Sequence, residues 1–143
     1  MDDVLNKHRD FVSWAEGRRL FPYEDSVGKL TIGVGRNLDD RGLSQDEVDL
    51  LLSNDQLIAY KEAVKLPFFD ALDDIRKSVI VDMIFNMGFP RFSGFVKTID
   101  AIIAGDYKLA AAEMKDSKWF RQTGRRAVAL VRAMYTGELT YGD

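Results

Sequence analysis

One segment of this 143-residue chain is apolar on nearly every helical face. It runs from Ile75 to Met87, and Gly88 follows where a helix-ending residue is expected. A helix without a polar side has to be surrounded by other elements, so the segment predicts the buried axis of a helical lobe. Three more helices are predicted after it, bounded by Gly, Asp or Thr, over residues 92–104, 106–116 and 124–135.

A capping box marks the start of another helix. It consists of Ser44 to Glu47, in which a Ser and a Glu stand three residues apart. The helix is predicted over residues 44–65, because Pro67 stops it. We expect this helix to connect two lobes.

The N-terminal helix is predicted to place a carboxyl at its end. Apolar residues recur at helical intervals from Val4 to Ala15, and Gly17 follows as a terminating residue. Glu16 therefore lies at the helix C-terminus, where the helix dipole disfavours a second negative charge. Such a place favours the protonated form that a general acid requires.

A short hairpin comes next. Leu30, Ile32 and Val34 alternate with their neighbours, so we expect this strand to bury them and to turn Thr31 outward. Residues 26–29 are predicted to form the turn, which places Asp25 near the hairpin tip. Eight residues, 36–43, separate the hairpin from the connecting helix, so the small lobe is predicted to be little more than one hairpin.

Glu16, Asp25 and Thr31 together suggest a chemistry. An acid, a carboxylate and a positioned water are the groups that hydrolyse a glycosidic bond. Considered singly, each carboxyl has a simpler explanation, because helix ends expose Glu and turns favour Asp. The trio alone leaves both interpretations open.

Several separated motifs in this chain occur in the same order in one family. The run from Glu16 to Gly35 contains Glu-Gly, an aromatic residue, an Asp, a Gly and Thr-Ile-Gly-x-Gly. The later motifs are Phe85-Asn86-Met87-Gly88, Ser93-Gly94-Phe95, and Trp119-Phe120-Arg121-Gln122-Thr123 followed by Arg126. The chain resembles, over nearly its whole length, the phage-type (T-even phage-like) lysozymes and endolysins of glycoside hydrolase family 24.

The resemblance implies an α+β, mostly helical, two-lobed lysozyme-like fold. It would form a single domain over residues 1–143, with a small β lobe at about 17–43. The larger helical lobe would comprise about 70–137 together with the N-terminal helix.

The resemblance also implies roles for individual residues. Glu16 would be the general acid, Asp25 the second carboxylate, and Thr31 a hydroxyl that holds the attacking water. Arg126 matches the position that pairs with the acid. The other positions implied to bind substrate or support the site are Phe85, Asn86, Thr98, Glu113 and Gln122.

The expected activity is that of a muramidase. It would hydrolyse the β-1,4 bond between N-acetylmuramic acid and N-acetylglucosamine in peptidoglycan, with inversion, Asp25 and Thr31 activating the water. The alternative is a catalytically inactive peptidoglycan-binding module, and a helical interaction protein without a sugar site is a third reading. Retention of the whole trio argues against a pure binder.

Composition limits the remaining classes. The chain has no cysteine, a net charge of -3 and a pI near 5.2, which do not suggest nucleic-acid binding. Six cations lie between Lys115 and Arg132 against Asp116 alone, and they form either a groove border or a solvated helix face. No cofactor, metal or stable membrane insertion is expected. We expect a monomer, made in the host bacterial cytoplasm and acting on periplasmic peptidoglycan after release by a membrane-permeabilising partner.

Overall fold

A computed structural model describes residues 1–141 of the chain. The predicted fold class is confirmed, because the structure is 65% helical and has a small three-stranded antiparallel sheet toward its N-terminal side. The helices are α1 (Asp2–Glu16), α2 (Gln45–Ala63), α3 (Asp74–Met87), α4 (Phe89–Ser93), α5 (Val96–Ile103), α6 (Tyr107–Lys115), α7 (Lys118–Thr123) and α8 (Arg125–Thr136). The strands are β1 (Arg19–Glu24), β2 (Leu30–Gly33) and β3 (Arg36–Asn37), and a 3-10 helix spans Phe69–Ala71.

Two compact units divide the chain. The first, which we call unit 1, covers Met1–Leu50, and the second, unit 2, begins at Leu51 within α2. Unit 1 holds α1 and the sheet, whereas unit 2 holds the helices from α3 onward. The predicted grouping of the N-terminal helix with the larger lobe stays a prediction.

The sheet of unit 1 has the order β1-β2-β3, and both pairings are antiparallel. Its first pairing is irregular, because the register shifts between Arg19 and Tyr23. Pro22 lies in this stretch and has no N–H to give to the ladder, which explains why regular pairing is interrupted there. The small lobe is therefore one hairpin extended by the two-residue strand β3.

The prediction that Thr31 faces outward is wrong. Thr31 is only 3% exposed, whereas Leu30 is 39% exposed. The reason is its place in the sheet, since Thr31 lies on the central strand between Tyr23 and Asn37. Its hydroxyl donates a hydrogen bond to the Lys29 carbonyl at 2.8 Å, which satisfies the buried polar group.

The predicted capping box is present at the start of α2. The Ser44 N–H donates to Glu47 Oε1 at 2.9 Å, and the Glu47 N–H donates to Ser44 Oγ at 3.3 Å. Arg36 also binds Glu47, through Nη1 to Oε1 and Nη2 to Oε2, each at 2.7 Å. One carboxylate therefore ties strand β3 to the first turn of α2.

The pairing of Glu47 predicts a pH dependence of stability. The hydrogen bond from Arg36, followed by those from Ser44, lowers the pKa of Glu47 from 4.5 to about 2. Because the folded pKa is depressed, the stabilisation is complete above the ordinary value of 4.5 and is lost as the pH falls toward 2. Glu47→Gln should therefore lower the urea midpoint at pH 7 and have a shrinking effect below pH 4.5. A variant that is equally destabilised at pH 7 and at pH 3 would contradict this account.

Unit 2 is built around a single hydrophobic core. Val79, Ile80 and Met83 of α3 are fully buried, and α8 packs against α3, α6 and α7. Ala110 of α6 and Ala127 of α8 are also fully buried, and these two helices pack against each other. The predicted burial of the segment 75–87 in the larger lobe is thus confirmed for these three residues of α3.

Two features of unit 2 differ from the sequence prediction. Helix α3 is not buried all round, because Phe85 is 37% exposed and Asp82 is half-buried. The segment predicted at 92–104 is instead split between α4 and α5, and α7 was not predicted as a helix. Ser117 caps α7 by accepting a hydrogen bond from the Phe120 N–H at 3.1 Å, a short-range signal that could have revealed it.

Candidate active site

Glu16 is the last residue of α1, as the sequence predicts. Gly17 follows with a φ of 74° and donates its N–H to the Ser13 carbonyl, which ends the helix. The Glu16 side chain is exposed. It is therefore accessible to a substrate, as a general acid has to be.

Asp25 is fixed by the turn that it begins. Its Oδ1 accepts hydrogen bonds from the Val27 N–H at 2.9 Å and the Lys29 N–H at 2.8 Å. Its own backbone closes the same turn, since Gly28 donates to the Asp25 carbonyl and Asp25 donates to that of Lys29. Asp25 is thus a turn former, as its simpler explanation predicts, and its Oδ2 has no partner in that turn.

Unit 1 contains all three residues of the predicted trio, Glu16, Asp25 and Thr31. Asp25 and Thr31 are joined through Lys29, whose N–H binds the Asp25 carboxylate and whose carbonyl accepts the Thr31 hydroxyl. The Thr31 oxygen keeps acceptor capacity after donating its proton, although its side chain is buried. The roles of the three residues stay predictions.

In unit 2, Arg126 is engaged by a residue that sequence reasoning missed. Its Nε donates to Asp82 Oδ2 at 2.8 Å and its Nη2 to Asp82 Oδ1 at 2.6 Å, a two-pronged pair. The same guanidinium lies 5.8 Å from the centre of the Phe85 ring. The hydrogen bonding of Arg126 to the Asp82 carboxylate raises the pKa of Arg126 above its usual value. The predicted pairing of Arg126 with the acid stays a prediction.

A sequence signal for Asp82 does exist. It is a lone carboxylate in the apolar run from Val79 to Phe85, and a carboxylate in such a run is expected to have a cationic partner. Which cation it binds could not be predicted, since 44 residues separate Asp82 from Arg126.

Asn86 is oriented by Trp119. The indole N–H donates to Asn86 Oδ1 at 2.9 Å, so the amide NH2 remains for another partner. Trp119 is only 2% exposed and packs edge-on against Phe95 at 6.0 Å between ring centroids. The prediction that Trp119 is mainly structural is confirmed.

Trp119→Phe is expected to destabilise the protein by about 1–3 kcal/mol, because it removes buried indole atoms and leaves Asn86 Oδ1 without its donor. The control is Trp14→Phe, since Trp14 is 80% exposed, and that variant should change stability by less than about 0.5 kcal/mol. The free energies come from urea titration of both variants. Equal losses of stability in the two variants would contradict this account of Trp119.

The remaining predicted positions are dispersed over unit 2. Thr98 on α5 is 2% exposed, which leaves its hydroxyl little surface for a saccharide. Glu113 on α6 is half-buried. Gln122 on α7 is exposed and accepts a 3.5 Å hydrogen bond from Arg91. Their contacts with substrate stay predictions.

Some of the residues predicted for the site line a groove of about 1370 Å³ in unit 2. Asp82, Phe85 and Arg126 line it, as do Arg125 and Arg132 of the basic segment. Three of the six cations of this segment thus border a groove, whereas Lys115, Lys118 and Arg121 do not line it. Asn86, Thr98, Glu113 and Gln122 do not line it.

Two further observations concern residues 1–141. No group of three or more His, Asp or Glu side chains there could hold a metal ion. Over the same residues, no helix has both the length and the apolar character that crossing a bilayer requires.

Comparison with known proteins places the chain in a family. The family model described as phage lysozyme matches residues 13–134. The chain is 28% identical to "Probable T4-type lysozyme 1" of Dictyostelium discoideum, over 95% of this chain and 98% of that protein. It is 26% identical to "Probable T4-type lysozyme 2" of the same organism, with the same coverage. The chain therefore belongs to the phage lysozyme family, which confirms the resemblance.

A third relative contains the matching region as one part of a longer chain. It is the "Pre-baseplate central spike protein Gp5" of Enterobacteria phage T4, which is 27% identical over 89% of this chain. Only 27% of that protein is covered. The family thus occurs both as a chain of about this length and within a larger protein.

Proposed function

We propose that this protein is a muramidase that hydrolyses the β-1,4 bond between N-acetylmuramic acid and N-acetylglucosamine in bacterial peptidoglycan. The observation that carries the proposal is the trio of Glu16, Asp25 and Thr31 in one compact unit of a chain from the phage lysozyme family. Two relatives named as probable T4-type lysozymes support the lysozyme activity in this proposal.

In the proposed mechanism, Glu16 protonates the oxygen of the leaving sugar. Asp25 accepts a proton from a water molecule that attacks the anomeric carbon from the opposite face, so the configuration inverts. Asp25 suits this task because its Oδ1 is fixed by two backbone N–H groups, while Oδ2 is the oxygen that would meet the water. Thr31 would hold the same water through its hydroxyl oxygen.

Incubation with purified peptidoglycan tests the activity. A muramidase lowers the turbidity and creates new reducing ends, whereas an inactive wall-binding module co-sediments without creating them. A protein that does neither is an interaction module, and the proposal is then wrong. Reduction of the products with borohydride identifies the bond, because a muramidase yields reduced muramic acid and a glucosaminidase yields reduced glucosamine.

The stereochemistry needs a separate measurement. Proton NMR of freshly cleaved, peptide-free glycan strands reports the anomer before mutarotation. An initial α-anomer at the new reducing end means inversion of the β bond. An initial β-anomer means retention, and Asp25 would then act as a nucleophile.

A further inference from the structure

Gly35 lies directly beside the Glu16 carboxyl. A β-carbon at position 35 would lie 3.4 Å from Glu16 Cδ, 3.5 Å from Cγ and 3.6 Å from Oε2. These separations are the near edge of van der Waals contact, so any side chain at position 35 would touch the carboxyl. The backbone at Gly35 has a φ of 79°, which also favours glycine.

Other glycines of unit 1 do not share this contact. At Gly17, Gly28 and Gly33, which also have positive φ, a β-carbon would meet nothing within 4 Å. Those glycines are explained by backbone conformation alone. Gly35 has a second constraint, and that constraint is the space occupied by Glu16.

We propose that Gly35 is a positioning residue for the general acid, since the lack of a side chain there leaves the Glu16 carboxyl room to reach the leaving oxygen. The inference rests on the proposed function. A methyl group at position 35 would restrict the carboxyl and exclude water from its Oε2 side. Restricting the positions that a catalytic group can adopt lowers the rate of the chemical step more than the affinity for substrate.

Gly35→Ala tests the proposal. We expect kcat on soluble glycan strands to fall by roughly tenfold or more while KM stays within about twofold. The matched control is Gly105→Ala in unit 2, because Gly105 has a φ of 73° and a β-carbon there would meet nothing within 4 Å. Both variants acquire similar backbone strain, so both should lose a few degrees in Tm, but Gly105→Ala should keep its kcat.

A second readout does not depend on activity. The carbon-13 NMR signal of the Glu16 carboxyl should move in Gly35→Ala and stay in place in Gly105→Ala. Gly35→Asn serves if the Ala variant does not fold, because Asn adopts positive φ more readily. An unchanged Glu16 signal and an unchanged kcat in a folded Gly35 variant would overturn the proposal. If the wild type does not cleave glycan strands, the proposed function fails, and the NMR comparison still decides whether Gly35 contacts Glu16.

Discussion

Glu16→Gln is expected to lower peptidoglycan lysis by roughly a hundredfold to ten-thousandfold, which is the usual contribution of a general acid. Glutamine has the shape of the acid but no proton to donate at neutral pH, so the leaving oxygen would depart unprotonated. Because Glu16 is exposed and ends α1, the change should leave the fold intact. The measurement is the initial rate of turbidity loss, with the circular dichroism spectrum and Tm as checks of folding.

The control for this experiment is Glu24→Gln. Glu24 is also exposed and lies next to Asp25 at the end of β1, so its substitution removes the same charge without removing the acid. That variant should keep most of the wild-type rate. A fully active Glu16→Gln enzyme would refute the assignment of the acid.

Asp25 should respond differently to two substitutions. Asp25→Asn keeps an Oδ1 that can accept from Val27 and Lys29, so we expect a stable protein whose lysis rate is lower by roughly a hundredfold or more. Asp25→Ala removes these two hydrogen bonds as well as the carboxylate. It should lose activity to a similar extent and, in addition, about 1–2 kcal/mol of stability.

Urea titration and lysis rates of the two variants separate the two roles of Asp25. If Asp25→Asn lyses peptidoglycan at the wild-type rate, the carboxylate has no catalytic role and the residue serves the turn alone. If Asp25→Ala is as stable as Asp25→Asn, the hydrogen bonds of the turn contribute nothing measurable. The lysis rate therefore tests the catalytic role of Asp25, and the urea titration separately tests its role in the turn.

Local features of this chain could be predicted from sequence because neighbouring residues determine them. Gly17 ends α1 through its positive φ and so places Glu16 at the helix end, and Ser44 and Glu47 exchange hydrogen bonds across three residues. The family motifs added roles that no local pattern contains. They also imply that Arg126 pairs with an acid more than a hundred positions earlier in the sequence, and this pairing stays a prediction.

Features that depend on distant residues were missed. The Asp82 partner of Arg126 comes from another helix, and so does the Trp119 donor of Asn86. Strand alternation gave the wrong side for Thr31, because alternation distinguishes the two faces of a strand but does not say which face is covered. The contact between Gly35 and Glu16 likewise depends on how the chain returns from the hairpin to α1.

The two hydrogen bonds that Asp25 Oδ1 accepts affect which residues an inactive descendant of such a protein would retain. Selection for folding alone would conserve an Asp or Asn at position 25, since its Oδ1 anchors two amides of the hairpin. Glu16 is exposed at the end of α1, so selection for folding would conserve it less, and position 16 would be substituted first in a protein that no longer needs catalysis. In a genome survey, the residue at position 16 is therefore the better marker of a working enzyme, whereas the presence of either Asp or Asn at position 25 indicates only that the hairpin turn is intact.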